Sequence, residues 1–133
     1  MTAIIRNPHA QTLCKLALDD ESALQYPLPD QIFGFLAQQS CEKLFKALIT
    51  SRNVPYPLTH NLQKLADLLL DVQESVPIPS STLRQLQPFA VELRYDVGAA
   101  LSEQERLALR ESIATLREHV VARILELEQG LNP

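Results

Sequence analysis

Apolar residues in this chain recur at steps of three and four, and three proline pairs interrupt the pattern. Steps of three and four place side chains on one face of an α-helix. A proline pair removes backbone donors and favours extended geometry in the preceding residues, so a helix is expected to end there. The breaks fall at 26–29, 55–57 and 77–79. The pattern therefore predicts an all-α chain of amphipathic helices joined by short loops.

Five helices are expected from this periodicity. Short loops between long helices favour antiparallel neighbours, which gives an up-and-down bundle of about five helices. Pro88 falls inside the fourth segment and predicts a kink there, or a helix that starts late. The predicted helices cover 9–24, 31–51, 60–74, 83–97 and 102–127.

Three helix starts have recognisable capping residues. Asp30 is the expected N-cap of the second helix, and Thr59 that of the third. Ser102 and Glu105 have the spacing of a capping box, in which each side chain satisfies a free donor at the helix start. Gly130 is a plausible stop for the last helix.

Composition narrows the class of protein. At 133 residues, 46% hydrophobic and 21% charged, the chain is predicted to form one helical-bundle domain over 1–133. A net charge of -4 argues against a dedicated nucleic-acid binder, although a local basic strip stays open. Cys14 and Cys41 lie in apolar patterns without framework spacing, which suits a reducing compartment. With no long apolar run and no signal-peptide pattern, we expect a cytoplasmic protein without a membrane segment.

Motifs of common enzyme chemistry are missing from the sequence. The two cysteines and three histidines have no metal-ligand spacing. Gly34, Gly98 and Gly130 are the only glycines, so there is no glycine-rich phosphate loop. No serine lies in a nucleophile elbow. We therefore expect no metal, no cofactor and no catalytic residue of these kinds.

Three segments nevertheless carry a family resemblance. They are QQSCEKLFKALI in the second helix, PLTHNLQKL at the start of the third, and AVELRYD at 90–96. In this order they resemble the HEPN domain (higher eukaryotes and prokaryotes nucleotide-binding), over roughly 12–128 and most strongly over 30–96. Asp96 stands where the branch resembled often has proline. The resemblance implies a five-helix domain, usually a homodimer, found in prokaryotes beside a minimal nucleotidyltransferase and associated with nucleotide or RNA chemistry.

The resemblance also implies a polar ligand site. Ammonium and guanidinium groups would hold phosphate, and a tyrosine would stack on a base. These residues also have structural alternatives. Lys43 and Lys46 would lie on a solvated helix face, with Glu42 and Lys46 as an i, i+4 pair. His60 would be hydrogen-bonded to Glu42 or a carbonyl, Arg94 would pair with Glu42, and Tyr95 would be half-buried with its hydroxyl in water. The candidate ligand-binding residues are Gln39, Glu42, Lys43, Lys46, His60, Arg94 and Tyr95.

Many HEPN proteins are metal-independent ribonucleases in which four to six residues separate an Arg from a His. In this chain two residues separate Arg6 and His9, seven separate Arg52 and His60, and one separates Arg117 and His119. No pair has the ribonuclease spacing, so the chain resembles the branch without the nuclease motif and is not expected to be an enzyme.

Three functional hypotheses remain at this point. The first is a HEPN-like module that binds a nucleotide or RNA-type ligand or a nucleotidyltransferase partner, as part of a toxin–antitoxin-like pair. The second is a metal-independent ribonuclease toxin with a displaced Arg/His pair. The third is a purely structural dimerisation module.

Overall fold

A computed structural model describes residues 4–90 and 100–130. Within these ranges the chain is all-α and has no strand, so the predicted fold class is confirmed. None of the described helices is long and apolar enough to cross a bilayer. The elements are α1 (Pro8–Ala23), α2 (Asp30–Ser51), α3 (Leu62–Asp71), α4 (Ser80–Leu86), a 3-10 helix (Gln87–Ala90) and α5 (Glu103–Glu128).

Helix α2 is the centre of the bundle. It packs against α1, α3, α4, the 3-10 helix and α5. The connection between α1 and α2 is short, so these helices lie side by side as antiparallel neighbours. Burial extends around most of α2, and each buried methylene stabilises the fold by about 0.8 kcal/mol. Fully buried side chains on this helix include Phe33, Leu44, Phe45 and Ile49.

The start of α5 forms as predicted. The backbone N–H of Glu105 donates to Ser102 Oγ at 3.1 Å. In return, the backbone N–H of Ser102 donates to Glu105 Oε1 at 2.9 Å. The capping box is therefore confirmed. Gly130 follows the end of α5 with φ +82°, a backbone conformation that glycine adopts at little cost.

The two other predicted caps are wrong. Pro29 is the N-cap of α2, and the Asp30 carboxylate instead accepts a hydrogen bond from Arg106 at 2.5 Å. Asn61, not Thr59, is the N-cap of α3, because its side chain accepts the Lys64 N–H at 3.0 Å. Helix α3 consequently begins two residues later than predicted, and the candidate site residue His60 precedes the helix.

The fourth predicted helix differs from the structure over the described residues. Helix α4 begins at Ser80, three residues before the predicted start, so the alternative of a helix that starts late at Pro88 is wrong. It gives way to a 3-10 helix that contains Pro88, so the interruption is a change of helix type. The rest of this prediction, 91–99, lies outside the described residues. Phe89 packs on α2 at Gly34, where an added Cβ would lie 2.3 Å from the Phe89 ring.

Two carboxylates fasten the ends of helices. Glu74, buried just after α3, accepts hydrogen bonds from Arg52 at 3.0 Å and from Arg123 at 2.8 Å. It thereby joins the ends of α2 and α3 to α5. At the last turn of α5, Glu128 accepts the backbone N–H groups of Arg6 at 2.7 Å and Asn7 at 2.8 Å.

Candidate functional site

Glu42 of α2 is the centre of the candidate site. Glu42 as a whole is 4% exposed, and three neighbouring side chains surround its carboxylate. Lys46 Nζ, one turn later, lies 2.9 Å from Oε2. His60 Nδ1 and Gln38 Nε2 lie 2.9 Å and 3.0 Å from Oε1. A buried carboxylate is stable only when it is paired and hydrogen-bonded in this way.

The protonation of Glu42 follows from these contacts. Burial alone raises the pKa of its carboxyl, because a charge is poorly solvated there. Hydrogen bonds from Lys46, Gln38 and His60, with the charge of Lys46, outweigh burial and hold the pKa below its ordinary value. Glu42 is therefore ionised near neutral pH.

This charge determines the tautomer of His60. An ionised carboxylate only accepts hydrogen bonds, so His60 Nδ1 carries the proton that points at Glu42. The neutral ring then presents Nε2 as an acceptor, and the protonated ring presents it as a donor. The His60 side chain is 68% exposed, so the ring combines a buried, oriented edge with a solvent-accessible one.

Two glutamines hold the backbone of His60. Gln38 Nε2 and Gln87 Nε2 each lie 3.1 Å from the His60 carbonyl oxygen. Gln87 Oε1 in turn accepts the N–H of Leu62 at the first turn of α3. Neither glutamine is among the predicted site residues. The spacing of Gln38 from Glu42, one helical turn, was a signal that could have identified Gln38.

Tyr56 extends the network along the loop before α3. Lys46 Nζ lies 5.2 Å from the centroid of the Tyr56 ring, within range of a cation–π interaction. The Tyr56 hydroxyl is 2.6 Å from His9 Nε2. Sequence reasoning missed both Tyr56 and His9, because their contact joins residues 47 positions apart.

Lys43 pairs with a residue of a different helix. Its Nζ donates to Asp20 of α1 at 2.5 Å, so the ammonium groups of Lys43 and Lys46 pair with separate carboxylates. Gln39 adjoins the network through a hydrogen bond of 2.8 Å from its Nε2 to Gln38 Oε1.

The structure thus brings Glu42, Lys46 and His60 together, with Gln39 at the edge and Lys43 directed elsewhere. The Glu42–Lys46 pair and the Glu42–His60 hydrogen bond are confirmed as contacts. The expectation of a solvated Glu42 is wrong, because its carboxylate is buried under its own partners. The predictions for Arg94 and Tyr95 lie outside the described residues.

Residues that could bind a metal do not gather in the described ranges, where no three His, Cys, Asp or Glu side chains form a suitable group. The chemistry of the site is that of a carboxylate, an ammonium group and an oriented imidazole. Such a set binds anions and exchanges protons.

The fold and this polar network define a helical module whose distinctive chemistry lies on its central helix and on the loop before α3. A family model for the HEPN domain matches residues 31–126. The chain therefore belongs to the HEPN family. Neither the curated proteins nor the solved structures include a match to it.

Proposed function

We propose that this HEPN module binds the phosphate group of a nucleotide or RNA ligand at the surface formed by His60, Lys46 and Glu42. The observation that carries the proposal is the hydrogen bond from His60 Nδ1 to the buried Glu42 carboxylate. It orients the imidazole so that Nε2 can meet a ligand, and Gln38 and Gln87 hold the backbone behind it. Less ordering is then required when the ligand binds.

Three groups at this surface would act on a phosphate. Because His60 Nδ1 holds its proton toward Glu42, Nε2 is the ring atom available to a ligand, and Lys46 is the adjacent cation. Arg94, which the family pattern adds to the site, would supply a second cation. Ammonium and guanidinium groups form charge-assisted hydrogen bonds with phosphate, so the affinity should fall as the salt concentration rises.

Calorimetric titration with ATP and with a ten-nucleotide RNA, at low and at high salt concentration, tests the proposal. We expect binding that weakens as the salt concentration rises. Replacing Lys46 and Arg94 together by Ala should abolish it without changing helical content in circular dichroism. Arg84→Ala is the matched control, since Arg84 is an exposed cation of α4. No binding by the wild type, or equal binding by the double variant, contradicts the proposal.

A second candidate function is RNA cleavage, and the Glu42–His60 hydrogen bond favours it as well. A carboxylate that fixes the imidazole tautomer leaves Nε2 free to take a proton from a 2′-hydroxyl. Lys46 or Arg94 would stabilise charge on the phosphate. RNA incubated with the protein and excess EDTA should then be cleaved, and His60→Ala should remove the cleavage. Growth arrest on expression in bacteria, relieved by the same variant, is the cellular readout; full survival with the wild type counts against it.

A macromolecular partner is the third element of the proposal, whether a second copy or a nucleotidyltransferase in a toxin–antitoxin-like pair. Family membership supports it. Leu58, which is 99% exposed two residues before His60, is the side chain that the test changes. Light scattering should give a dimer mass for the wild type and a lower mass for Leu58→Asp. A monomer at every concentration removes the homodimer from the proposal.

A further inference from the structure

A groove runs between α1 and α5 at the surface. None of its lining residues belongs to the His60 site. One part is a cavity of about 370 Å³. A second cavity of about 350 Å³ adjoins it. Both are lined by Gln25 and Arg110, so they form one continuous depression, called here the α1–α5 groove. Its other lining residues include Leu18, Ser22, Tyr26 and Arg117.

Three arginines of α5 face this groove, and two of them have carboxylate partners. Arg106 donates to Asp30 at 2.5 Å, and Arg117 donates to Glu21 at 2.7 Å. Arg110 lies one turn after Arg106 on the same side of the helix. It is half-buried, yet it has no hydrogen bond or ion pair with any residue in 4–90 or 100–130.

A half-buried arginine can bury its stem and keep its guanidinium in contact with solvent, so the donors of Arg110 are available to a ligand in the groove. Its planar fork of donors matches a carboxylate, which it can hold by two parallel hydrogen bonds. Glu111 and Glu103 also line the groove, but both side chains are exposed and neither forms an ion pair with Arg110. Asp30 and Glu21 thus pair with the neighbouring arginines, whereas no described carboxylate pairs with Arg110.

Exposed apolar side chains lie beside the charged residues of the groove. Leu18 is 46% exposed and lines the cavity, while Leu107 is 50% exposed. Leu107 precedes Arg110 by three positions and so lies on the same helix face. Tyr26, 67% exposed, flanks the second cavity. Large exposed apolar side chains around a central cation are typical of a protein-binding surface.

We propose that the α1–α5 groove docks an acidic segment of a partner protein. One carboxylate of that segment pairs with Arg110, and its flanking apolar side chains cover Leu18 and Leu107. The two cavities follow one another along α1 and α5, and exposed apolar side chains flank them, which favours an extended peptide segment over a compact small metabolite. Charge complementarity at Arg110 selects the acidic residue.

Nuclear magnetic resonance titration with the tripeptide Ac-Leu-Glu-Leu-NH2 tests this. We expect saturable shifts of the Arg110 Nε–H and Gln25 side-chain signals at millimolar peptide. The neutral peptide Ac-Leu-Gln-Leu-NH2 should bind at least about tenfold more weakly, since its amide cannot form the charge-assisted hydrogen bonds that a carboxylate forms with a guanidinium. Arg110→Gln should remove the shifts of the Gln25 signals, Arg110→Lys should weaken them, and Arg84→Gln should leave the Arg110 and Gln25 shifts unchanged.

The other outcomes overturn the proposal. Equal binding of the Glu and Gln peptides, or an absence of shifts, shows that Arg110 selects no carboxylate. If inorganic phosphate shifts the same signals at lower concentration than the peptide does, the groove is a small-anion site. If these signals move with protein concentration alone, a second copy of the chain is the occupant. Failure of ATP and RNA to bind at His60 affects none of these readouts.

Discussion

Replacing Gly34 by Ala isolates one steric contact in the bundle. In a helix interior this change by itself stabilises by about 0.5–1 kcal/mol, because Ala loses less backbone freedom on folding. Here the new Cβ would lie 2.3, 2.4 and 2.6 Å from three atoms of the Phe89 ring. Real Cβ atoms do not approach other atoms that closely, and Phe89 is only 4% exposed, so its ring must move within packed surroundings.

Overpacking of a core costs about 1–3 kcal/mol, which exceeds the helix-propensity gain. We therefore expect Gly34→Ala to lower the free energy of unfolding by about 0.5–2 kcal/mol and the Tm by several degrees. Urea denaturation followed by circular dichroism measures this. Combining it with Phe89→Leu should recover part of the loss, with a coupling of about 1 kcal/mol between the two sites.

Gly130→Ala is the matched control. Among the residues that the structure describes, no atom lies within 4 Å of its added Cβ, but φ there is +82°, so the cost of Gly130→Ala is in the backbone. That cost should simply add to the effect of Phe89→Leu. If Gly34→Ala stabilises the protein, or if its effect is also additive with Phe89→Leu, the contact argued here between α2 and the 3-10 helix is wrong.

Three further changes have defined outcomes. Folding lowers the pKa of Glu42, so the stabilisation by its charged carboxylate is present above the ordinary pKa of 4.5 and is lost as the pH falls through the pKa of the folded protein. Thermal melts should therefore show the Tm of the wild type and that of Glu42→Gln converging below the folded pKa. Glu74→Gln should destabilise by about 3–5 kcal/mol in urea, because two arginines lose one buried carboxylate, whereas exposed Glu111→Gln should change little. Ser102→Ala should cost about 1 kcal/mol by removing the cap of α5, and a null effect would contradict the capping box.

Local features were predictable from the sequence. The capping box at Ser102 needs only residues within one turn, and the apolar stripe of α2 needs only the helical period. The start of α3 was not predictable in this way, because Thr59 and Asn61 are both good N-caps. The choice of Asn61 agrees with a distant contact, in which the N–H of Leu62 is taken by Gln87.

Several members of the candidate site were predictable from the sequence, but their arrangement in space was not. The i, i+4 spacing of Glu42 and Lys46 gives their pairing directly. The burial of Glu42 and Lys46 depends on His60, which lies against the Glu42 carboxylate although it is 18 positions away in sequence. The helical period cannot predict such a contact. Lys43 illustrates the same limit, since its partner Asp20 belongs to another helix.

The Glu128 contact has a consequence for amide hydrogen exchange. One side chain near the end of α5 accepts the backbone N–H groups of Arg6 and Asn7, 122 and 121 positions away in sequence. Fraying of either end breaks the same two bonds, so we expect the first turn of α1 and the last turn of α5 to open together. Deuterium uptake at these two remote segments should therefore proceed with a common protection factor.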